Sequence, residues 1–200
     1  MSVRKVLFFF AIVVALPVLA HAQDFGIVES AETINKGNFK LRANPMILFG
    51  KNGGDGTVGV AAAFGYGFTP RFDMEGQVAF YDGVTFFGAN AEYWVIKENP
   101  FDFSIAGGLH RRTGSNTADL TGVDLTFLGS GHVARRLELY GGLDLAFEGV
   151  GQPGGYKTVH LVPGIEYKIS DGIDLDAEVG IALNDFARHY ASVALAFYIR

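Results

Sequence analysis

Three histidines and a few acids are the residues of this chain whose types could perform catalysis. His110, His160 and His189 fall near one end of a repeating strand pattern. Three acidic residues, Asp144, Glu148 and Asp185, fall near the same end of the predicted strands. A histidine held by a carboxylate is a common general base, and it needs a nucleophile beside it. The histidines belong to different segments, the fifth, eighth and tenth, so we expect them not to converge. No nucleophile motif accompanies them, and the sequence predicts no active site.

Other reactive groups are also missing from the sequence. No pair of ligands has the spacing of a structural metal site, so we predict no metal and no cofactor. Residues 149–155 (GVGQPGG) are rich in glycine, but neither the Lys/Ser pair nor the helix of a phosphate-binding loop follows. The chain has no cysteine, which excludes disulfides, thiolate chemistry and a lipid-bearing cysteine. A binding or structural role is therefore favoured over a catalytic one.

A second set of ionisable residues shares the less apolar face of the same segments, towards the opposite end. These residues are Lys40, Arg42, Asp73, Glu75, Glu92, Asp102, His132, Glu138, Glu166, Lys168, Asp174, Asp176 and Arg200. Charges confined inside a protein must pair, accept hydrogen bonds or shift their pKa. One interpretation is an ion-pair network that closes one end of the molecule. Because acids outnumber bases, the other interpretation is a constriction that prefers cations.

The segments that carry these charges alternate strictly between two faces. In residues 58–68 (VGVAAAFGYGF) the even positions are mostly large and apolar, and the odd positions are glycine or alanine. Successive side chains of a strand point to opposite faces, so this pattern predicts a β-strand. Turn residues interrupt the alternation nine times and leave ten segments. The interruptions lie at residues 50–56, 69–71, 82–83, 97–100, 112–119, 135–136, 149–155, 170–172 and 184–188.

The apolar face of these strands is predicted to point outward, into lipid. It carries no charge except Arg111 at a strand end, and a charge facing the bilayer midplane costs about 2–4 kcal/mol. About ten strands cannot enclose so many Phe, Leu, Ile and Val side chains. The opposite face carries many glycines and alanines at positions where a water-exposed surface would normally carry Lys, Glu, Thr and Gln. We therefore predict an all-β fold, a closed antiparallel transmembrane up-and-down β-barrel of about ten strands, with eight as the alternative.

The ends of the chain predict export. Arg4 and Lys5 precede an apolar run that ends in a small-residue cleavage site, so residues 1–22 are predicted to be a signal peptide cleaved after Ala22. Cleavage changes the formal charge from −5 to −7, and an acidic chain without a basic patch predicts no nucleic-acid partner. Residues 23–37 do not alternate and are predicted to be a periplasmic lead-in. The barrel is predicted to span residues 38–200.

The signal peptide, the ten amphipathic strands and the last strand, Val193-x-Leu-x-Phe-x-Ile199, together resemble the small single-chain outer-membrane β-barrels of Gram-negative bacteria. The resemblance covers nearly the whole mature chain and points to no subfamily. It implies an outer-membrane location, with membrane lipid and the barrel assembly machinery as partners. In that class the last strand usually ends in an aromatic residue, whereas this chain ends in Arg200. The resemblance does not indicate an oligomeric state.

These observations predict a structural or surface barrel whose lumen is closed on the periplasmic side by the charged network. The alternative is a narrow porin-like channel, or a binder of small solutes, with a mild preference for cations. Above the network the small residues predict a vestibule that opens outward. Pro45 and Pro163 fall inside predicted strands, where a missing backbone donor predicts β-bulges.

Overall fold

The computed structural model describes residues 27–51, 54–98, 100–114, 117–151 and 154–200. The predicted signal peptide, residues 1–22, lies outside these ranges. Within the described ranges no helix is long and apolar enough to cross a membrane. The strands are β1 (Phe39–Leu48), β2 (Thr57–Thr69), β3 (Phe72–Tyr81), β4 (Val84–Glu98), β5 (Phe101–Gly114), β6 (Thr117–Ala134), β7 (Leu137–Glu148), β8 (Tyr156–Ser170), β9 (Ile173–Ala182) and β10 (Tyr190–Ile199).

The ten strands form one closed antiparallel barrel. Each strand pairs with its neighbours in the sequence, and β10 returns to pair with β1, where Phe39 lies opposite Ile199. Closure leaves no strand edge unpaired, as a barrel in hydrocarbon requires. The structure confirms the ten-strand barrel, and the eight-strand alternative is wrong. Every turn between strands overlaps one of the nine predicted interruptions.

The outer surface of the barrel is apolar, as the alternation predicts. On β1 and β2 buried and exposed residues alternate through nearly the whole strand. Val58, Phe80 and Leu109 are 73%, 53% and 64% exposed. Near the predicted periplasmic end, neighbouring rings line the outside; the ring centroids of Phe39 and Tyr66 lie 4.8 Å apart. Aromatic rings at this height match the girdle of membrane barrels.

The two prolines do not introduce the predicted β-bulges. The pairing of β1 with β10 is interrupted at Pro45 but resumes in the same register, with Met46 opposite Ser192. The pairing of β8 with β9 likewise resumes in register beyond Pro163. A proline removes one backbone donor, and the paired residues on both sides hold the register. Ser192 Oγ also donates a hydrogen bond to the Pro45 carbonyl, at 3.2 Å.

The outer half of the lumen is filled by side chains, so the predicted open vestibule is wrong. Phe86, Tyr190, His110 and His160 are buried there. Small residues on the inner face leave room for these rings. For example, a Cβ added at Gly180 would collide with the ring of Tyr190. Some of the glycines on the inner face are thus explained by an aromatic side chain of the adjacent strand, which lies over the glycine.

The segment before β1 occupies the other half of the lumen. We call residues 27–38 the N-terminal segment. Ile27, Val28, Ala31 and Ile34 are almost fully buried inside the barrel. Residues 23–37 were predicted to be a periplasmic lead-in, but the described part of this stretch runs inside the barrel through residue 34. The amides of Ile27, Val28, Ala31 and Ile34 bond to side chains of the wall, and the segment bonds to the β2 backbone at its end, where the Gly37 amide donates to the Gly67 carbonyl. Bonding to side chains explains why residues 27–34 show no alternation.

Candidate functional site in the barrel lumen

Glu178 on β9 holds the inner end of the N-terminal segment. Its Oε1 accepts hydrogen bonds from the Ile27 amide and the Tyr190 hydroxyl, both at 3.0 Å. Its Oε2 accepts from the Val28 amide at 2.7 Å and the Tyr140 hydroxyl at 3.0 Å. Hydrogen bonds to an ionised carboxylate are stronger than neutral ones. Four donors around one buried carboxylate therefore fix the segment to the wall.

The backbone of Val28 is strained where it meets Glu178. Its φ of 46° lies in the left-handed region, which β-branched residues rarely adopt. Such a conformation costs on the order of 1–3 kcal/mol and persists only when its surroundings fix it. Here the strained turn accompanies two successive amides that bond to the two oxygens of one carboxylate. The strain is consistent with a segment that is positioned by this contact.

An ion-pair network lies beside this anchor, on β1 and β3. Arg42 Nη1 donates to the carbonyls of Ile27 and Val28, at 2.8 and 3.0 Å, and Nη2 donates to Glu75. Lys40 Nζ lies 2.9 Å from Glu29 Oε2 in the segment and 3.5 Å from Glu75 Oε2. The side chains of Lys40, Arg42 and Glu75 are all buried. A buried charge needs such partners, so wall and segment neutralise each other.

Two further contacts fix the part of the segment nearest the predicted periplasmic end. The Ala31 amide donates to Ser130 Oγ at 3.1 Å, and the Ile34 amide donates to Asp73 Oδ2 at 2.6 Å. The segment then passes over small residues of β2. A Cβ at Gly67 would collide with the backbone carbonyls of Ile34 and Asn35. The inner face of β2 is therefore bare partly because the segment lies directly against it.

Six more of the predicted lumen charges form a second group at the mouth of the lumen. A cavity of about 170 Å³ lies there between the segment and the turns after β6 and β8. The predicted residues that line it are His132, Glu138, Glu166, Lys168, Asp174 and Arg200. Partial burial raises the pKa of the Glu32 carboxyl, which also lines the cavity; the His132 imidazole opposes the rise, and the Glu166 carboxylate adds to it.

Three predicted residues belong to neither group. Asp102 accepts a hydrogen bond from Trp94 Nε1, at 3.0 Å. Glu92 is buried opposite Asp73 in the β3–β4 pairing, and Asp176 is buried opposite Glu166 in the β8–β9 pairing. The structure thus brings ten of the thirteen predicted charges together in two groups. That they act as one closing network stays a prediction.

A small cavity lies in the lumen beside the N-terminal segment. A cavity of about 30 Å³ is lined by Ile27 and Glu29 of the segment and by Arg42, Glu75 and Phe86 of the wall, among others. One water molecule needs about 10–15 Å³ of such volume. This cavity therefore has room for roughly two waters and not for a larger solute.

His110 lies closer to acids than the sequence suggested. Its Nδ1 is 2.8 Å from Asp124 Oδ2, and its Nε2 is 3.1 Å from Glu148 Oε1. Although Glu148 is two strands away, both side chains point into the narrow lumen. His160 Nε2 instead lies 3.0 Å from the Arg188 carbonyl, and His189 Nδ1 accepts from the Ala182 amide at 3.1 Å. The three histidines therefore have separate partners.

Sequence reasoning missed Glu178 and the role of the N-terminal segment. Glu178 continues the inward alternation of Asp174 and Asp176 on β9, so the period of two was the signal that could have found it. The segment offered a weaker signal. It combines apolar residues with Glu29, Ser30 and Thr33 but lacks a strand period. Its position depends on contacts with strands up to 151 residues away in the sequence.

Comparison with known proteins rests on structure, because no protein-family model and no curated protein matches the sequence. An outer-membrane channel of the COG4313 group from Pseudomonas putida F1 has a TM-score of 0.53 at 10% identity; the match covers 89% of this chain and 100% of that chain. The NanC porin has a TM-score of 0.52 at 7% identity, over 78% of this chain and 98% of that chain.

A bacterial polysaccharide outer-membrane secretin matches at a TM-score of 0.50 and 12% identity, over 84% of this chain and 67% of that chain. This chain has the fold of the outer-membrane β-barrels. At these identities the similarity establishes the outer-membrane barrel fold and carries no information about ligands. The apolar exterior described above is what that fold requires in lipid.

Proposed function

We propose that the protein is an integral outer-membrane barrel whose lumen is closed by its own N-terminal segment. The proposal rests on the hydrogen bonds that backbone amides of this segment donate to side chains of the wall. The amides of Ile27 and Val28 bond to Glu178, that of Ala31 to Ser130 and that of Ile34 to Asp73. These bonds span the lumen from β9 to β3. In this role the barrel is a structural or surface protein without catalytic activity.

Burial and charge also support closure. Ile27, Val28 and Ile34 of the segment are buried against the wall. Burying one valine or isoleucine side chain completely contributes about 1.5–3 kcal/mol of stability. Arg42 couples the segment carbonyls to Glu75, so an open lumen would leave a buried pair short of partners. The charged network predicted from the sequence would then close the lumen together with the segment.

A narrow channel with a mild preference for cations is the second candidate. One observation favours it: the N-terminal segment, which fills the half of the lumen at the predicted periplasmic end, is held there by hydrogen bonds and ion pairs and is not a strand of the barrel. These contacts can break without unfolding the barrel. The wall behind it carries more acids than bases. In this second role the segment would be a gate.

Conductance across a planar lipid bilayer separates the two candidates. The full chain should be compared with an Asp174→Asn/Asp176→Asn variant, which leaves the Arg42–Glu75 pair intact. Insertion of both proteins is checked by heat-modifiable migration on gels. A closed barrel predicts negligible current from both. A large, stable current from the full chain that loses cation selectivity in the variant would refute closure and favour the channel.

A further inference from the structure

Three potential metal ligands meet at the mouth of the lumen, although the sequence predicts no metal site. Glu32 belongs to the N-terminal segment, His132 to β6 and Glu138 to β7. One ligand atom from each residue lies within 4.8 Å of the others. The residues are far apart in sequence, and only the entry of the segment into the barrel brings Glu32 to the wall.

The distances within this cluster suit a bound ion better than direct hydrogen bonding. His132 Nδ1 is 3.5 Å from Glu138 Oε2 and 4.0 Å from Glu32 Oε1. Ligands about 2.1 Å from a tetrahedral zinc ion lie roughly 3.4 Å from each other. The pair on the wall therefore already has the separation that a shared ion requires. Glu32 lies 4.0 Å from His132 and within 4.8 Å of a Glu138 oxygen, so it must approach the pair, and its side chain is 43% exposed and free to do so.

Glu138 provides independent evidence for a missing partner. Its side chain is 3% exposed, and its Oε2 lies 3.5 Å from His132 Nδ1. Its Oε1, which an ion held by both oxygens of the carboxylate would contact, has no hydrogen-bond partner in the described parts of the chain. A buried carboxylate oxygen without a partner is costly, and such groups call for an explanation such as a bound ion. Glu138 lines the 170 Å³ cavity together with Glu32 and His132, and this cavity leaves room for water on the ion.

The local structure of β6 and β7 holds the two wall ligands side by side. His132 and Glu138 are direct partners across the β6–β7 pairing, and the register shifts between His132 and Ala134. Such an irregularity redirects neighbouring side chains and is common next to functional sites. Two ligands thus belong to a rigid wall, and the third belongs to the N-terminal segment.

We propose that Glu32, His132 and Glu138 bind one divalent transition-metal ion of the zinc class. One imidazole and two carboxylates form a set of borderline and hard donors that suits such an ion, with water completing the coordination. Arg135 and Arg136 also line the cavity, and their charge limits the affinity. The bound ion connects the segment to the β6–β7 turn. The site requires the segment at the mouth but does not require a closed lumen.

Titration calorimetry with Zn²⁺ tests this site on the full chain, without a histidine tag, folded in detergent. We expect one equivalent to bind, and we expect His132→Gln and Glu32→Gln each to weaken binding at least about tenfold. Both side chains are about half exposed, so neither change threatens folding. The matched control is His189→Gln, a histidine at the opposite end of the barrel, which should leave binding unchanged.

Two results would overturn the proposal. One is the absence of Zn²⁺ binding at millimolar concentrations. The other is binding that His132→Gln leaves unchanged, or that Mg²⁺ matches, because either would indicate an unspecific acidic surface. Failure here is distinguishable from failure of the proposed closure: a chain that conducts ions yet binds Zn²⁺ through His132 refutes the closed lumen and supports the metal site.

Discussion

Deletion of residues 27–36 should convert a barrel that conducts no ions into one that does. The segment fills the half of the lumen at the predicted periplasmic end, and its removal exposes a wall that carries Asp73, Glu75 and Glu178 against Lys40 and Arg42. Because acids outnumber bases along that wall, the current should prefer cations. In planar bilayers we expect the deletion variant to give a stable current where the full chain gives a negligible one. In a salt gradient, the reversal potential should lie closer to the equilibrium potential of the cation than to that of the anion.

A single substitution keeps this prediction testable if the deletion variant fails to fold. Gly67→Val places a side chain where the carbonyls of Ile34 and Asn35 now lie, so the segment must move away. Gly141→Val is the matched control, because a Cβ there meets nothing within 4 Å. Gly67→Val should raise both the conductance and the rate at which a protease cleaves the segment. Equal, negligible currents from the deletion, Gly67→Val and the control would contradict the prediction.

Replacement of Arg42 by methionine should lower the free energy of unfolding by about 3–5 kcal/mol, the usual cost of removing one partner from a buried ion pair. The change leaves Glu75 buried without its main counter-charge and the Ile27 and Val28 carbonyls without their donor. Unfolding from lipid vesicles can be followed by the fluorescence of Trp94, the single tryptophan of the chain.

Two variants provide the comparison for Arg42→Met. Arg111 pairs with Asp119 at 2.7 Å, but both side chains are more than half exposed, so Arg111→Met should cost less than about 1 kcal/mol. Arg42→Met combined with Glu75→Gln removes both charges and should recover part of the lost stability. If Arg42→Met costs no more than Arg111→Met, the buried network does not hold the segment.

The architecture could be predicted from the sequence because it depends on local patterns. A period of two fixes which face each side chain occupies, and a slip of one residue would place every apolar side chain on the wrong face. Turn chemistry such as Asp82-Gly83 then marks where strands reverse; Asp82 and Gly83 have φ of 46° and 71° in the structure. Both signals lie within a few residues, so strand number and orientation follow without any knowledge of the tertiary fold.

The contents of the lumen could not be predicted in the same way. The bond from Ile27 to Glu178 joins residues 151 positions apart, and no local pattern specifies it. Glycine at position 67 is equally compatible with an open lumen and with a segment packed against it. The inward charges were found by alternation, but their division into two groups depends on where the segment enters the barrel.

Cysteine cross-linking tests most directly whether the N-terminal segment lies inside the barrel. The native chain has no cysteine, and the Ala31 amide lies 3.1 Å from Ser130 Oγ, so residues 31 and 130 are direct neighbours, as a disulfide between them requires. We predict that Ala31→Cys/Ser130→Cys forms an intramolecular disulfide in protein isolated from outer membranes. The control, Ala31→Cys/Leu109→Cys, pairs residue 31 with an exposed position on the outer face of β5 and should not cross-link. Two free thiols in the first variant, or equal cross-linking in both, would contradict a lumen occupied by this segment.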